Sequence, residues 1–252
     1  MFLLPYFVNQ ILFIDKPKGI TSFDAIRILR KKFGIRKMGH AGTLDPFATG
    51  LLIVGIGEGT KRLNEYMSLP KTYMMDVLLG KSTDTGDPEG TALEEKEVTF
   101  AHSLLRQWLR RASAPVRLWR KLENKRIGEV KKINLEQVEK ILKEMEGQIE
   151  LPIPKYSAVK HKGMPLYAYA RKGIAVEEKL RTTRIFYLKL LGVEPQGNNI
   201  ILKIEMKCEK GTYARAVGKE IGRRFGVPAM LQDLRRTKIG DIDVSKAEKL
   251  EK

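Results

Sequence analysis

The chain has 252 residues, enough for one large domain or two small ones. Hydrophobic residues make up 42%, which excludes a disordered polyelectrolyte. Lys and Arg outnumber Asp and Glu by 47 to 30, a formal charge of +17, so a polyanion is the favoured partner. The single cysteine, Cys208, excludes a disulfide scaffold or thiolate metal cluster and suits a reducing compartment. His40, His102 and His161 are too far apart for ligand spacing, so no metal is expected.

The apolar start MFLLPYFVNQILF lacks the basic residue before it and the small-residue cleavage site after it that a secretory signal carries. No run of about 18 apolar residues could span a bilayer. A cytoplasmic protein without a membrane partner is expected.

In chain order, residues 10–15 read as a strand closed by the turn Lys16-Pro17-Lys18-Gly19. A helix follows from Thr21 or Ser22 to Phe33, with apolar Phe23, Ile26 and Leu29 and a terminal Gly34. Residues 51–56 form a short buried strand, and Thr60 is expected to cap a helix reaching Met67. Residues 71–80 alternate as a strand, and 82–90 read as a loop rich in Thr, Asp, Gly and Pro.

Asn134 and Gln137 form a capping box, after which Leu135, Val138, Ile141, Leu142 and Met145 share one helix face. Residues 184–193 and 199–208 read as a hairpin, 212–225 as a helix and 230–236 as a last strand. Without a βαβ repeat, the order predicts an α/β (α+β) domain on a mixed sheet.

Segment 101–133 stands apart. It holds ten Lys and Arg against two acids, a local +8, together with Trp108 and Trp119. It reads as a basic insertion, a helix followed by a loop, suited to phosphate contact and stacking.

Nucleotide motifs fail. Gly55-Ile56-Gly57-Glu58-Gly59 is spaced GxGxG rather than GxGxxG, and Gly80-Lys81-Ser82 lacks the first glycine of a phosphate loop. No nucleotide or other cofactor is expected.

One octapeptide is specific: Gly39-His40-Ala41-Gly42-Thr43-Leu44-Asp45-Pro46, whose glycines and proline suit a tight loop presenting a carboxylate. Alone, an Asp-Pro pair reads as a turn former. The whole segment resembles the signature loop of the bacterial tRNA pseudouridine synthase B family. Five further segments resemble that family's motifs in the same order. They are Asp15-Lys16-Pro17-Lys18-Gly19-Ile20-Thr21-Ser22, Lys71-Thr72-Tyr73, Tyr156-Ser157-Ala158-Val159-Lys160 with Gly163, Tyr167, Ala170 and Arg171, Gly211-Thr212-Tyr213-Ala214-Arg215, and Leu234-Arg235-Arg236. Two features depart from the pattern: Ile153-Pro154 replaces a Pro-Pro pair, and the basic insertion is additional.

The resemblance implies a pseudouridine synthase fold, a mainly antiparallel mixed sheet flanked by helices and loops. It implies one catalytic domain over 1–245 carrying the insertion, then a tail at 246–252 without a separate PUA-like C-terminal RNA-binding domain. The insertion is then expected to supply part of the missing tRNA grip. The implied reaction turns uridine-55 of the tRNA T loop into pseudouridine, with the T arm as partner, no cofactor and a monomeric enzyme.

The roles it implies are residue by residue. Asp45 attacks the target nucleotide or takes its proton, and Arg215 pairs with it. Tyr73 stacks on the extruded base and its hydroxyl moves a proton, while Leu234 walls the pocket. His40 fills the stack that the flipped base leaves, and Gly42 belongs to the same loop. Tyr156 lies in the substrate-side segment, and Lys16, Lys18, Lys61, Arg62, Lys160 and Arg171 are candidate phosphate contacts. Spacing alone leaves blander readings open: a surface helix arginine at 215, a packed strand aromatic at 73, a core leucine at 234. A non-catalytic RNA-binding protein, or a related synthase for another RNA, would share the charge.

Overall fold

The computed structural model describes residues 10–100 and 131–250. Its frame is a ten-stranded sheet in the order β16-β1-β3-β14-β4-β13-β12-β9, with β2 alongside β3 and β15 alongside β14. The strands on that path are β1 (Ile11–Lys16), β3 (Thr49–Ile56), β4 (Lys71–Leu79), β9 (Gly147–Pro152), β12 (Leu180–Gln196), β13 (Asn199–Cys208), β14 (Ala229–Ile239) and β16 (Glu248–Lys249). β2 is Met38–His40 and β15 is Ile242–Asp243. Only β1 with β16 and β14 with β3 run parallel; the other neighbours are antiparallel, as expected for a mixed, mainly antiparallel sheet.

The helices form where the sequence places start and stop signals. In α1 (Ser22–Phe33), Thr21 and Asp24 make a reciprocal capping box, and Gly34 ends the helix at φ 69°. In α3 (Leu135–Glu144), Asn134 and Gln137 do the same, and Val138, Leu142 and the following Met145 enter the core. α5 (Ala214–Phe225) begins two residues later than the sequence suggests and ends at Gly226, φ 70°. α3 and α5 cover one face of the sheet. There Met75, Val77, Leu202, Ile204, Met206, Val217, Ile221 and Leu231 form the main core. Each such side chain contributes about 1.5–3 kcal/mol on full burial.

Two expectations change. Thr60 does not cap a helix: its hydroxyl donates back to the Gly57 carbonyl at 2.7 Å inside a 3-10 turn, Gly57–Arg62. α2 then starts at Leu63 and ends at Ser68. The loop at 82–90 is shorter than its composition implies, because β5 (Lys81–Thr83) pairs with β6 (Ala92–Glu95). Of the basic insertion, 101–130 lies outside the described residues. Its end, Lys131–Ile133, is a strand (β8) rather than loop, parallel to β7 (Val98–Phe100).

Candidate active site

The signature loop runs between β2 and β3 and is fixed by hydrogen bonds to its main chain. The Ser22 hydroxyl of α1 accepts from the Leu44 N–H at 2.8 Å and donates to the Leu44 carbonyl at 3.1 Å. The Gly19 N–H donates to the Pro46 carbonyl at 2.8 Å, and Ala41 N–H donates to Ile53 of β3 at 2.9 Å. Leu44, Phe47 and Ala48 are buried in the main core beside Tyr73 and Leu234. The loop therefore holds Asp45 between two anchored apolar residues.

Asp45 meets Arg215 of the first turn of α5 in a two-pronged contact: Nε to Oδ2 at 2.9 Å and Nη2 to Oδ1 at 3.0 Å. Arg215 is buried, and its remaining N–H groups reach the carbonyls of Thr85 and Tyr156, each at 2.9 Å. Asp87, also buried, lies 3.7 Å from Nη1. Its own Oδ1 accepts from the Thr85 hydroxyl at 2.6 Å and the Glu89 N–H at 3.0 Å. One guanidinium thus joins four segments of chain. The Asp45 side chain keeps 32% of its surface exposed, so a ligand can reach it.

The local field is strong. Burial raises the Asp45 carboxyl above its ordinary range; Arg215 opposes this, Asp87 adds to it and Lys16 opposes it. Burial likewise raises the Tyr73 phenol, whose ionisation also feels Asp45. Among the described residues, Lys16, Lys71, Arg215 and Arg236 are buried cations, against Asp87 as the buried acid. No group of His, Cys, Asp and Glu suited to a metal occurs among the described residues. None of the described helices is long and apolar enough to cross a membrane.

A family model described as TruB family pseudouridylate synthase (N terminal domain) matches residues 30–117 and 120–214. A tRNA pseudouridine synthase B from Desulfotalea psychrophila is 39% identical over 244 residues, 96% of this chain and 86% of that protein. The chain belongs to the TruB family of pseudouridylate synthases. A second member with the same name, from Aromatoleum aromaticum, is 38% identical over 95% of this chain and 66% of its own length. The fold resembles that in the crystal structure of a Cbf5-Nop10-Gar1 complex, with a TM-score of 0.60 at 22% identity, over 97% of this chain and 53% of that one.

The TruB motifs converge unequally. Arg215 bonds both Asp45 and the Tyr156 carbonyl, and Tyr73 and Leu234 share the core that seats the Asp45 loop. His40 ends β2; its Nδ1 is buried without a partner, and burial, with Arg236 adding, lowers its pKa. Gly42 sits at φ 91°, and its carbonyl accepts from Arg236 at 3.0 Å.

Lys16 is corrected. It is fully buried, and its ammonium donates to the carbonyls of Pro17, Ile20 and Pro46 at 2.9, 2.7 and 3.3 Å. Burial lowers its pKa to about 8. With three carbonyls on one ammonium, it is a brace under the Asp45-Pro46 turn rather than a phosphate contact.

The other candidate cations lie outside this contact. Lys18 pairs with Asp233 at 3.4 Å, Lys61 with Glu58 at 2.5 Å and Arg62 with Glu65 at 3.8 Å. Lys160 is exposed on β10 (Lys160–His161), and the Arg171 guanidinium lies 5.5 Å from the Tyr167 ring centroid. β10 pairs with β11 (Met164–Pro165), which leads into α4 (Leu166–Arg171).

Sequence reasoning missed Asp87, Thr85 and Arg236. The first two sit in a segment whose composition announces only a loop. Arg236 lay within a matched motif, and no spacing argument separates a buried arginine from an exposed one.

Proposed function

We propose that this TruB-family chain converts uridine-55 in the T loop of tRNA to pseudouridine. The observation that carries the reading is the half-open Asp45 carboxylate gripped by buried Arg215. Such a carboxylate has a fixed direction of approach, a counter-ion and access to one ligand.

The target base leaves the stack of the T loop and enters beside Asp45, while His40 takes the vacated place. Asp45 drives the breaking of the N1–C1′ bond. The uracil turns, C5 bonds to C1′, the C5 proton departs and N1 gains a proton. Nothing is oxidised or lost, so no cofactor is required. Tyr73 faces the base and carries the proton; Leu234 walls the pocket. The detached uracil is anionic, and buried Arg215 beside Asp45, with Lys16 acting on the same carboxylate, supports this charge. The +17 charge supports a phosphate-rich partner, with Lys18, Lys61, Arg62, Lys160 and Arg171 as phosphate contacts. The basic insertion adds to the grip on tRNA, and the protein acts as a cytoplasmic monomer.

The test is conversion of an unmodified T-arm transcript, with no guide RNA, followed by digestion to nucleosides. Pseudouridine at position 55 is expected, and replacement of that uridine by cytidine abolishes it. Binding without product would instead leave a non-catalytic RNA-binding protein.

A further inference from the structure

Arg236 heads the fully buried side chains by volume, with 1% exposure, and the reaction as described does not use it. It lies on β14 directly opposite Tyr73 of β4, and cross-strand partners project from the same face of a sheet. Its Nε donates to the Leu51 carbonyl of β3 at 2.8 Å, and Nη2 donates to the Gly42 carbonyl at 3.0 Å. Gly42 stands between His40 and Asp45 in the signature loop. One guanidinium therefore ties that loop, β3 and the strand bearing Tyr73.

Among the described residues Arg236 is paired with no carboxylate; its side-chain hydrogen bonds go to these two carbonyls, and its charge acts on Tyr73 across the strand pair. A buried cation without a counter-ion is costly to keep, so a role for its charge is the natural expectation. The groups acting on Tyr73 are Arg236 from β14, Cys208 from β13 and Asp45 from the loop. Of these, only Arg236 favours the ionised phenol, against burial, Cys208 and Asp45. A guanidinium has no acceptor. Toward Arg236 the Tyr73 oxygen can therefore only accept, which leaves its own proton to point elsewhere.

We propose that Arg236 is the positioning residue for Tyr73, directing the hydroxyl proton into the cleft and stabilising the phenolate left when that proton moves. This rests on the reading that Tyr73 faces the flipped base. Tyr73 hands its proton to N1 of the detached uracil and recovers one from C5 after the C5–C1′ bond forms. The cycle closes with Tyr73 protonated and needs no further reactant.

A double-mutant cycle tests this, using single-turnover pseudouridine formation on T-arm RNA, RNA binding and thermal melting. Arg236→Lys should keep RNA affinity within about two-fold and lose about ten-fold or more in rate. The same substitution in Tyr73→Phe should cost about two-fold or less, since the group it serves is gone. An Arg236→Lys loss that persists undiminished in Tyr73→Phe would overturn the proposal while leaving Tyr73's own role intact. A Tyr73→Phe variant at full rate would overturn both. If Arg236→Lys does not fold, guanidinium NMR of the wild-type and Tyr73→Phe proteins decides. Arg236 N–H signals that shift on loss of the hydroxyl support the contact, and unchanged signals refute it.

Discussion

Ser22 and Leu44 exchange two hydrogen bonds, the hydroxyl accepting from the Leu44 N–H at 2.8 Å and donating to its carbonyl at 3.1 Å. The first turn of α1 thereby fixes the residue next to Asp45. Ser22→Ala leaves both backbone groups unpaired in a buried place, a cost of about 1–3 kcal/mol. Denaturant unfolding should show that loss. Single-turnover rate should fall by about ten-fold with RNA affinity nearly unchanged, because the loop, not the RNA surface, is loosened.

Arg215→Lys keeps the charge and loses the fork that grips both Asp45 oxygens. The rate of pseudouridine formation should drop by about 10²- to 10³-fold, with RNA binding retained. Burial already raises the Asp45 carboxyl above its ordinary value of 3.8, with Arg215 opposing. The acid limb of the wild-type pH–rate profile should therefore lie above pH 3.8, and in Arg215→Lys it should move higher still. An unmoved limb would show that the guanidinium does not govern Asp45 ionisation.

Asp87→Asn removes the second acid beside Arg215, 3.7 Å from Nη1, but can keep the Thr85 and Glu89 hydrogen bonds. A slower chemical step with a near-native melting temperature is expected. Equal rates in single turnover would exclude Asp87 from orienting Arg215.

Much of this arrangement is legible in the sequence, and the parts that are not have physical reasons. α1 is readable because Thr21, Asp24 and Gly34 each satisfy a local backbone need. β3 is readable because its apolar run is buried on both faces. The Asp45–Arg215 pair came from matched motifs, since 170 residues separate the partners. The burial of Lys16 is not legible in the sequence because its three acceptors are main-chain carbonyls, which no residue type advertises. The role of Thr60 is ambiguous in sequence because a threonine hydroxyl can donate backwards as well as cap forwards.

Lys16 and Lys71 share one behaviour. Lys71 is buried on the carbonyls of Tyr66, Met67 and Leu69, and burial lowers its pKa to about 8, as for Lys16. Unfolded, both bind a proton up to the ordinary 10.5. Between about pH 8 and 10.5 the unfolded state holds more protons, so these two groups make stability rise with pH. Urea unfolding of wild type and Lys71→Met across this window should show the wild-type free energy gaining on the variant as pH increases. A difference constant with pH would contradict the lowered pKa.

Gly50 lets β3 and β14 run side by side under Arg236. Its φ is 105°, and an added Cβ would stand 2.3 Å from the Arg236 carbonyl oxygen. Gly50→Ala should cost on the order of 3 kcal/mol or more through strain and displaced backbone. A melting temperature within a few degrees of wild type would show that the strands can part there at little cost.

The proposed activity requires the Asp45 carboxylate to perform the chemistry and not merely to shape an RNA-binding loop. Asp45→Asn keeps the size of the side chain and one acceptor for Arg215 while removing the charge. Measured on T-arm RNA, this variant should give no pseudouridine at position 55 and RNA affinity close to wild type. Normal product formation by Asp45→Asn would contradict it.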